Sequence, residues 1–302
     1  MKLGLIALTL TAGTAAVSPS VTAPAPVTGL AMDGANVAFA TGTSPGDCDR
    51  MWVWNSATRK LTRLARTTNC IETSTGHGIA ALSIAGRRVL WLHFVGGNIR
   101  EWSLFTATTS APRPKRLRFV ARDVDEPPPI VLGEGDSGRL GDILPYAIDD
   151  EVVALRTNGS RRFSWRAPGR VLGLDAKAGN LAVAYAGGHV AVLDLAGRVL
   201  RDEAFAGDVQ AVQVLGERLV VQYGRTLELR DQVGSQTWRL PAGARLRDMA
   251  AEGAYYVVRG AVRMLALAGS RDEFVATGTD VQVEGLFVAV AQGRRVSVIE
   301  RR

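Results

Sequence analysis

Few side chains in this 302-residue sequence combine types and spacing that could do chemistry: three histidines, two cysteines and some crowded carboxylates. Gly135-Asp136-Ser137-Gly138 sets a serine among glycines. A serine nucleophile needs a histidine base held by a carboxylate, and none of His77, His93 and His189 stands in a context that supplies one. The segment therefore reads as a glycine-rich turn, and no catalytic residue is assigned. Asp123, Asp125 and Glu126, ahead of Pro127-Pro128-Pro129, form the densest acidic group, with Glu134, Asp136 and Asp142 close behind. Paired carboxylates can hydrolyse glycosides and clustered ones can hold calcium, but this spacing fits no calcium loop. A solvated loop is the expectation, with no metal and no cofactor.

Charge and targeting signals bound the setting. Lys+Arg number 36 against Asp+Glu 29, a formal net charge of +7, in a chain that is 47% apolar; such a chain has material for a large core. Lys2 precedes an apolar run, Leu3 to Leu10, and small residues through Ala16, the pattern of a secretory signal peptide spanning 1–16, with cleavage after Ala16 or as late as position 25. The run is too short to span a membrane, so a secreted, extracytoplasmic protein without a membrane span is expected. In that compartment Cys48 and Cys70 should pair, and the loop they close would contribute about 3 kcal/mol by chain entropy. Basic residues do not alternate with aromatic ones as a nucleic-acid groove requires, so no nucleic-acid partner is expected.

The elements that must position any site emerge from a repeat. Glycines recur in triplets: Gly179, Gly187, Gly197; Gly216, Gly224, Gly234; Gly253, Gly260, Gly269; the first two triplets stand 37 residues apart at every mark. Between them lie β-type runs such as Leu181-Ala182-Val183-Ala184-Tyr185 and Leu219-Val220-Val221-Gln222-Tyr223. Four strands per unit of about 40 residues describe blades of a β-propeller. Six such units run from about Thr28 to Gly278, and three further strands follow before residue 302. An edge strand from Val21 to Val27 would complete a seventh blade, with six blades the alternative; Pro24 and Pro26 suit only an edge. The fold class is thus all-β, one propeller over residues 17–302. Lys115 to Arg122 reads as an outer strand with Arg116, Arg118 and Arg122 on one face and Leu117, Phe119 and Ala121 on the other.

Leu193-Asp194-Leu195-Ala196-Gly197-Arg198-Val199-Leu200 and Val53-Trp54-Asn55-Ser56-Ala57-Thr58-Arg59-Lys60-Leu61 resemble the turn and last strand of WD40-like and quinoprotein-like propeller repeats, and the whole resembles secreted propeller-repeat proteins. The resemblance implies blades locked by aromatic residues such as Trp165 and Trp238. Gly76-His77 and Gly188-His189 occur without a following Trp-Asp, and the two cysteines are not adjacent as quinone-cofactor enzymes require, so no cofactor is carried over. The expected function is a binding scaffold whose partner is a protein or an anionic cell-surface polymer, the alternative being a hydrolase or lyase on polysaccharide or lactone. Candidate ligand contacts fall on connections between blades: Glu72, His77, Asp123, Asp125 and Glu126.

Overall fold

The computed structural model describes residues 18–42, 50–64, 76–138 and 141–301. Cys48, Cys70, Glu72 and the 1–16 segment lie outside these residues. Every described element is a strand. A short β1 (Ser20–Thr22) precedes blade I, which is β2 (Val27–Asp33), β3 (Asn36–Thr41), β4 (Arg50–Asn55) and β5 (Leu61–Arg63). Blade II is β6 (His77–Ala85), β7 (Arg88–Val95), β8 (Ile99–Thr108) and β9 (Lys115–Asp123). Blade III is β10 (Ile130–Leu132), β11 (Leu144–Ile148), β12 (Glu151–Leu155) and β13 (Arg161–Arg166). Blade IV is β14 (Val171–Lys177), β15 (Asn180–Tyr185), β16 (His189–Asp194) and β17 (Val199–Ala204). Blade V is β18 (Ala211–Leu215), β19 (Arg218–Tyr223), β20 (Thr226–Arg230) and β21 (Ser235–Arg239). Blade VI is β22 (Arg245–Met249), β23 (Gly253–Val258), β24 (Ala261–Ala266) and β25 (Asp272–Thr277). Blade VII has β26 (Asp280–Glu284), β27 (Phe287–Gln292) and β28 (Arg295–Glu300).

All seven sheets are four-stranded and antiparallel, and β1 supplies the fourth strand of blade VII by pairing with β28. The expected closure is correct in kind and displaced in sequence. The strand is Ser20–Thr22, Pro24 and Pro26 fall in the crossing to β2, and Val27 opens β2. The prolines thereby remove no donor from the ladder. Ala23, fully buried, ties the crossing down: its N–H donates to Arg294 O at 2.6 Å, and Arg294 Nε donates to Ala23 O at 3.0 Å.

The core consists of seven apolar wedges, one between each pair of neighbouring blades, rather than a single centre. A strand near the axis meets a blade on each side, so runs such as Leu181-Ala182-Val183-Ala184 are apolar without alternation, while an outer strand such as β17 alternates with solvent. Trp165 packs into the wedge between blades III and IV and Trp238 into that between V and VI, as expected.

Eight of the nine repeat glycines adopt positive φ in hairpin turns; Gly253 does not. It opens β23, where a Cβ would lie 2.6 Å from Leu265 O, so close packing and not turn geometry demands glycine there. The face assignment for β9 also changes. A bulge opposite Leu104/Phe105 shifts the alternation. Arg118 lies over the Tyr146 ring at 6.0 Å and Arg122 pairs with Asp149 at 2.7 Å, both toward blade III, while Leu117 and Val120 pack into the wedge between blades II and III. Arg116 instead covers the half-exposed Phe119.

Candidate functional site

Each blade's inner strand begins at one face of the ring, here the mouth face, and ends at the other. Near the axis the sequence places charges in otherwise apolar inner strands, and buried charges must find partners. They find them across blades. Lys177, the last residue of β14, reaches from blade IV to blades VI and VII: Nζ donates to Asp248 Oδ1 at 2.8 Å, Met249 O at 3.0 Å and Val283 O at 2.9 Å. The N–H of Val283 donates to Asp248 Oδ2, which couples blade VI to VII. Asp175 Oδ2 accepts Val214 N–H at 2.6 Å, from blade V, and Asp280 Oδ2 accepts Leu30 N–H at 3.1 Å, coupling blade VII to I. Asp33 of blade I takes Gly86 N–H and the Ser137 hydroxyl.

Glu134 enters this network from blade III. Gly133 and Gly135 flank it: a Cβ on the first would meet Leu174 Cβ at 2.6 Å, and on the second Ile84 O at 2.6 Å. Only glycines let the chain run this close to blades II and IV, and that close fit holds Glu134 at the axis. Gln282 Nε2 donates to Glu134 Oε1 at 3.1 Å and Gln213 Nε2 does so at 3.4 Å, from blades VII and V. The carboxyl is enclosed by protein yet keeps surface on a cavity of 310 Å³ at the channel mouth, which Arg247 and Asp280 also line.

The electrostatics follow from burial. Desolvation, then the charges of Asp248 and Asp175, push the Glu134 carboxyl well above its usual range. Asp175, fully buried, is pushed up to about 7 by desolvation with help from Asp248 and Asp136, against the pull of Lys177. Burial opposes the Lys177 charge, but Asp248, Glu134 and Asp175 outweigh it and hold the ammonium above its ordinary value. Two acceptors on neighbouring inner strands, Asp175 Oδ1 and Gln213 Oε1, have no hydrogen-bond partner. Among the described residues no group of three or more His, Cys, Asp or Glu is arranged to hold a metal ion. The arrangement suits a brace across the ring, in which one cation and two amides hold carboxylates from several blades.

The residues singled out by sequence lie elsewhere. His77 opens β6, partly buried, its ring 6.4 Å from that of His93. Asp123 ends β9, and its Oδ1 accepts Asp125 N–H at 3.1 Å in a local turn; Glu126 pairs loosely with Arg122 at 3.8 Å. This group serves the connection from blade II to III, whereas His77 stands at the start of blade II's inner strand. Ser137 hydrogen-bonds to Asp33 through both its N–H and its hydroxyl. Of the axial residues, Glu134 was noticed only as part of the acidic group after Asp123, and Asp175, Lys177, Gln213, Asp248 and Gln282 escaped sequence reasoning. The available signal was a charge inside an apolar strand, as in Leu174-Asp175-Ala176, which implies burial with a partner.

No protein-family description matches the chain, and no curated protein matches it. Solved structures do. A chain of the mitotic checkpoint complex superposes with a TM-score of 0.60 at 13% identity, over 99% of this chain and 100% of that one. The WD40 β-propeller domain of Doa1 superposes with 0.61 at 10% identity, over 94% and 96%. Chaetomium thermophilum Raptor gives 0.54 at 14% identity, over 92% of this chain and 29% of that one. The chain thus shares the WD40-type propeller fold.

Proposed function

We propose that the chain is an extracytoplasmic binding scaffold that engages a protein partner across the mouth face of its channel. One observation carries this reading: the axial polar groups engage one another across blades, while the concavities described here, of 310, 540 and 450 Å³, open beside the inner-strand starts of the mouth face. A braced ring displays loops at fixed spacing, which favours recognition by a surface. The likeness to WD40-type propellers, one of them from an assembly named as a complex, is consistent with such a role. The extracytoplasmic setting rests on the apolar segment after Lys2.

The test compares proteins recovered by the native chain with those recovered by two variants blocked on opposite faces. Ala242→Arg obstructs the exposed mouth-face turn before β22, and Ala251→Arg obstructs the exposed opposite-face turn after it. The reading expects the first variant to lose a partner that the second keeps. Loss only with Ala251→Arg, or equal recovery by all three, overturns it.

A further inference from the structure

We infer that a pocket on the mouth face, built by Arg245, Arg247 and Arg259, captures a carboxylate from an acidic, extended segment of the partner; this rests on the mouth-face reading above. Arg245 stands on β22 ahead of the buried Leu246, and Arg247 is the unpaired residue of a bulge between Leu246 and Asp248; the shared cavity brings the two guanidinium groups together. Arg259 comes from the turn between β23 and β24. The three line one cavity of 450 Å³ together with Thr28, Thr279 and Asp280.

Their charges are poorly compensated. The cavity holds one carboxylate, Asp280, and Arg247 already occupies it, with Nε to Oδ1 at 2.7 Å and a second nitrogen at 2.6 Å. The same carboxylate also takes the N–H groups of Leu30 and Val281. Arg245 and Arg259 are exposed and make no ion pair or side-chain hydrogen bond with the described residues. Several arginines elsewhere are engaged: Arg122 with Asp149, Arg230 with Glu203 and Glu228, Arg263 with Asp272.

Turn geometry sets where the Arg259 side chain starts. Arg259 and Gly260 have φ of 50° and 75°, the left-handed pair of a tight hairpin turn. Ala178 and Gly179, in the turn between β14 and β15, take a similar pair, φ of 51° and 84°. From the turn between β23 and β24 the Arg259 side chain reaches the cavity that Arg245 and Arg247 line. A planar fork of N–H donors matches a carboxylate in two parallel hydrogen bonds, and two unpaired forks beside a third set a site for one carboxylate with neighbouring acidic side chains. An acidic segment is favoured also by the net charge of +7, which draws anionic partners in.

The test is fluorescence anisotropy of a fluorescein-labelled octaglutamate peptide titrated with the full chain at low salt. Variants are Arg245→Ala, Arg259→Ala, their double, Arg245→Lys, and a control, Arg113→Ala/Arg116→Ala, that removes the same charge from the rim of blade II. Circular dichroism melts confirm that each folds. We expect native binding, a fivefold or greater loss for each single variant, at least twentyfold for the double, a partial loss for Arg245→Lys, and under twofold for the control. Equal losses in control and pocket doubles mean a diffuse field, and overturn the inference. So does absence of native binding, or binding of a sulfated oligosaccharide through the pocket with octaglutamate excluded. If the Arg245→Ala/Arg259→Ala chain still recovers the partner that Ala242→Arg loses, this inference fails while the mouth-face reading stands; if Ala242→Arg loses nothing, that reading fails instead.

Discussion

Lys177 is the residue on which the axis depends most. Its ammonium meets three oxygens from two other blades, and its removal would leave Asp248 charged and enclosed. Breaking a buried pair from one side costs about 3–5 kcal/mol, because the remaining charge is desolvated without compensation. Lys177→Met should therefore lower the thermal midpoint by well over 5 °C, whereas Lys177→Met with Asp248→Asn should recover part of the loss; a single variant as stable as the native chain contradicts the brace. Glycines give a second contrast at this scale. Gly135→Ala drives a Cβ into the backbone of Ile84 and should cost at least 1–3 kcal/mol, while Gly216→Ala, at φ 59° with nothing within 4 Å, should cost about 1 kcal/mol. Denaturant midpoints for the two variants check the order.

Among the elements, the closing strand β1 joins the two ends of the chain. Its register, Ser20 with Ser297 through Thr22 with Arg295, and the burial of Ala23 place the N-terminal segment in the wedge between blades VII and I. Ala23→Asp would put a carboxylate where the native side chain is fully enclosed, and should release β1. Limited proteolysis should then cut between residues 18 and 27 far faster than in the native chain; unchanged protection would show that closure does not depend on this contact. These elements were legible because glycine-marked turns and apolar runs are local signals, and they recur. The blade count and the closing strand could be read directly, although the prolines pulled the expected strand toward Val27. The axial network was not legible in the same way. Glu134, Lys177 and Asp248 belong to three different repeats, and only ring closure brings them together. At Asp123, Asp125 and Glu126 acidic density along the chain accompanies a local turn, as expected, while the carboxylates that converge are far apart in sequence. Likewise Arg245, Arg247 and Arg259 look like ordinary surface charges until one cavity gathers them.

Seen whole, the molecule is a ring of seven wedges around a polar axis, and that axis makes its stability depend on pH. Asp175 and Glu134 ionise at higher pH in the folded ring than their ordinary values of 3.8 and 4.5. Such groups stabilise the fold relative to its high-pH state when protonated. For Asp175 that contribution is complete below its ordinary value and disappears as pH rises through about 7, by at most about 4 kcal/mol; Glu134 shifts in the same direction. Because other carboxylates titrate as well, the comparison is between variants: Asp175→Asn should flatten the decline of the thermal midpoint between pH 5 and 8, and Glu134→Gln should lessen the decline that sets in above the ordinary carboxylate range. A decline of native slope in Asp175→Asn would show that Asp175 does not titrate in this window. Asp175 Oδ1, with no hydrogen-bond partner of its own, is the oxygen free to carry that proton while Oδ2 keeps its bond to Val214.

The most direct test of the scaffold reading is hydrogen exchange followed by mass spectrometry on the chain alone and with its recovered partner. Inner strands should exchange slowly in both states, and the informative amides lie in the turns. Protection is predicted in the mouth-face segments 205–210, 240–247, 259–260 and 278–280, with none added at the opposite-face turns 34–35, 250–252 and 284–287. Protection confined to those opposite turns, or to the outer strands β9 and β13, would contradict the assignment of the mouth face as the binding surface.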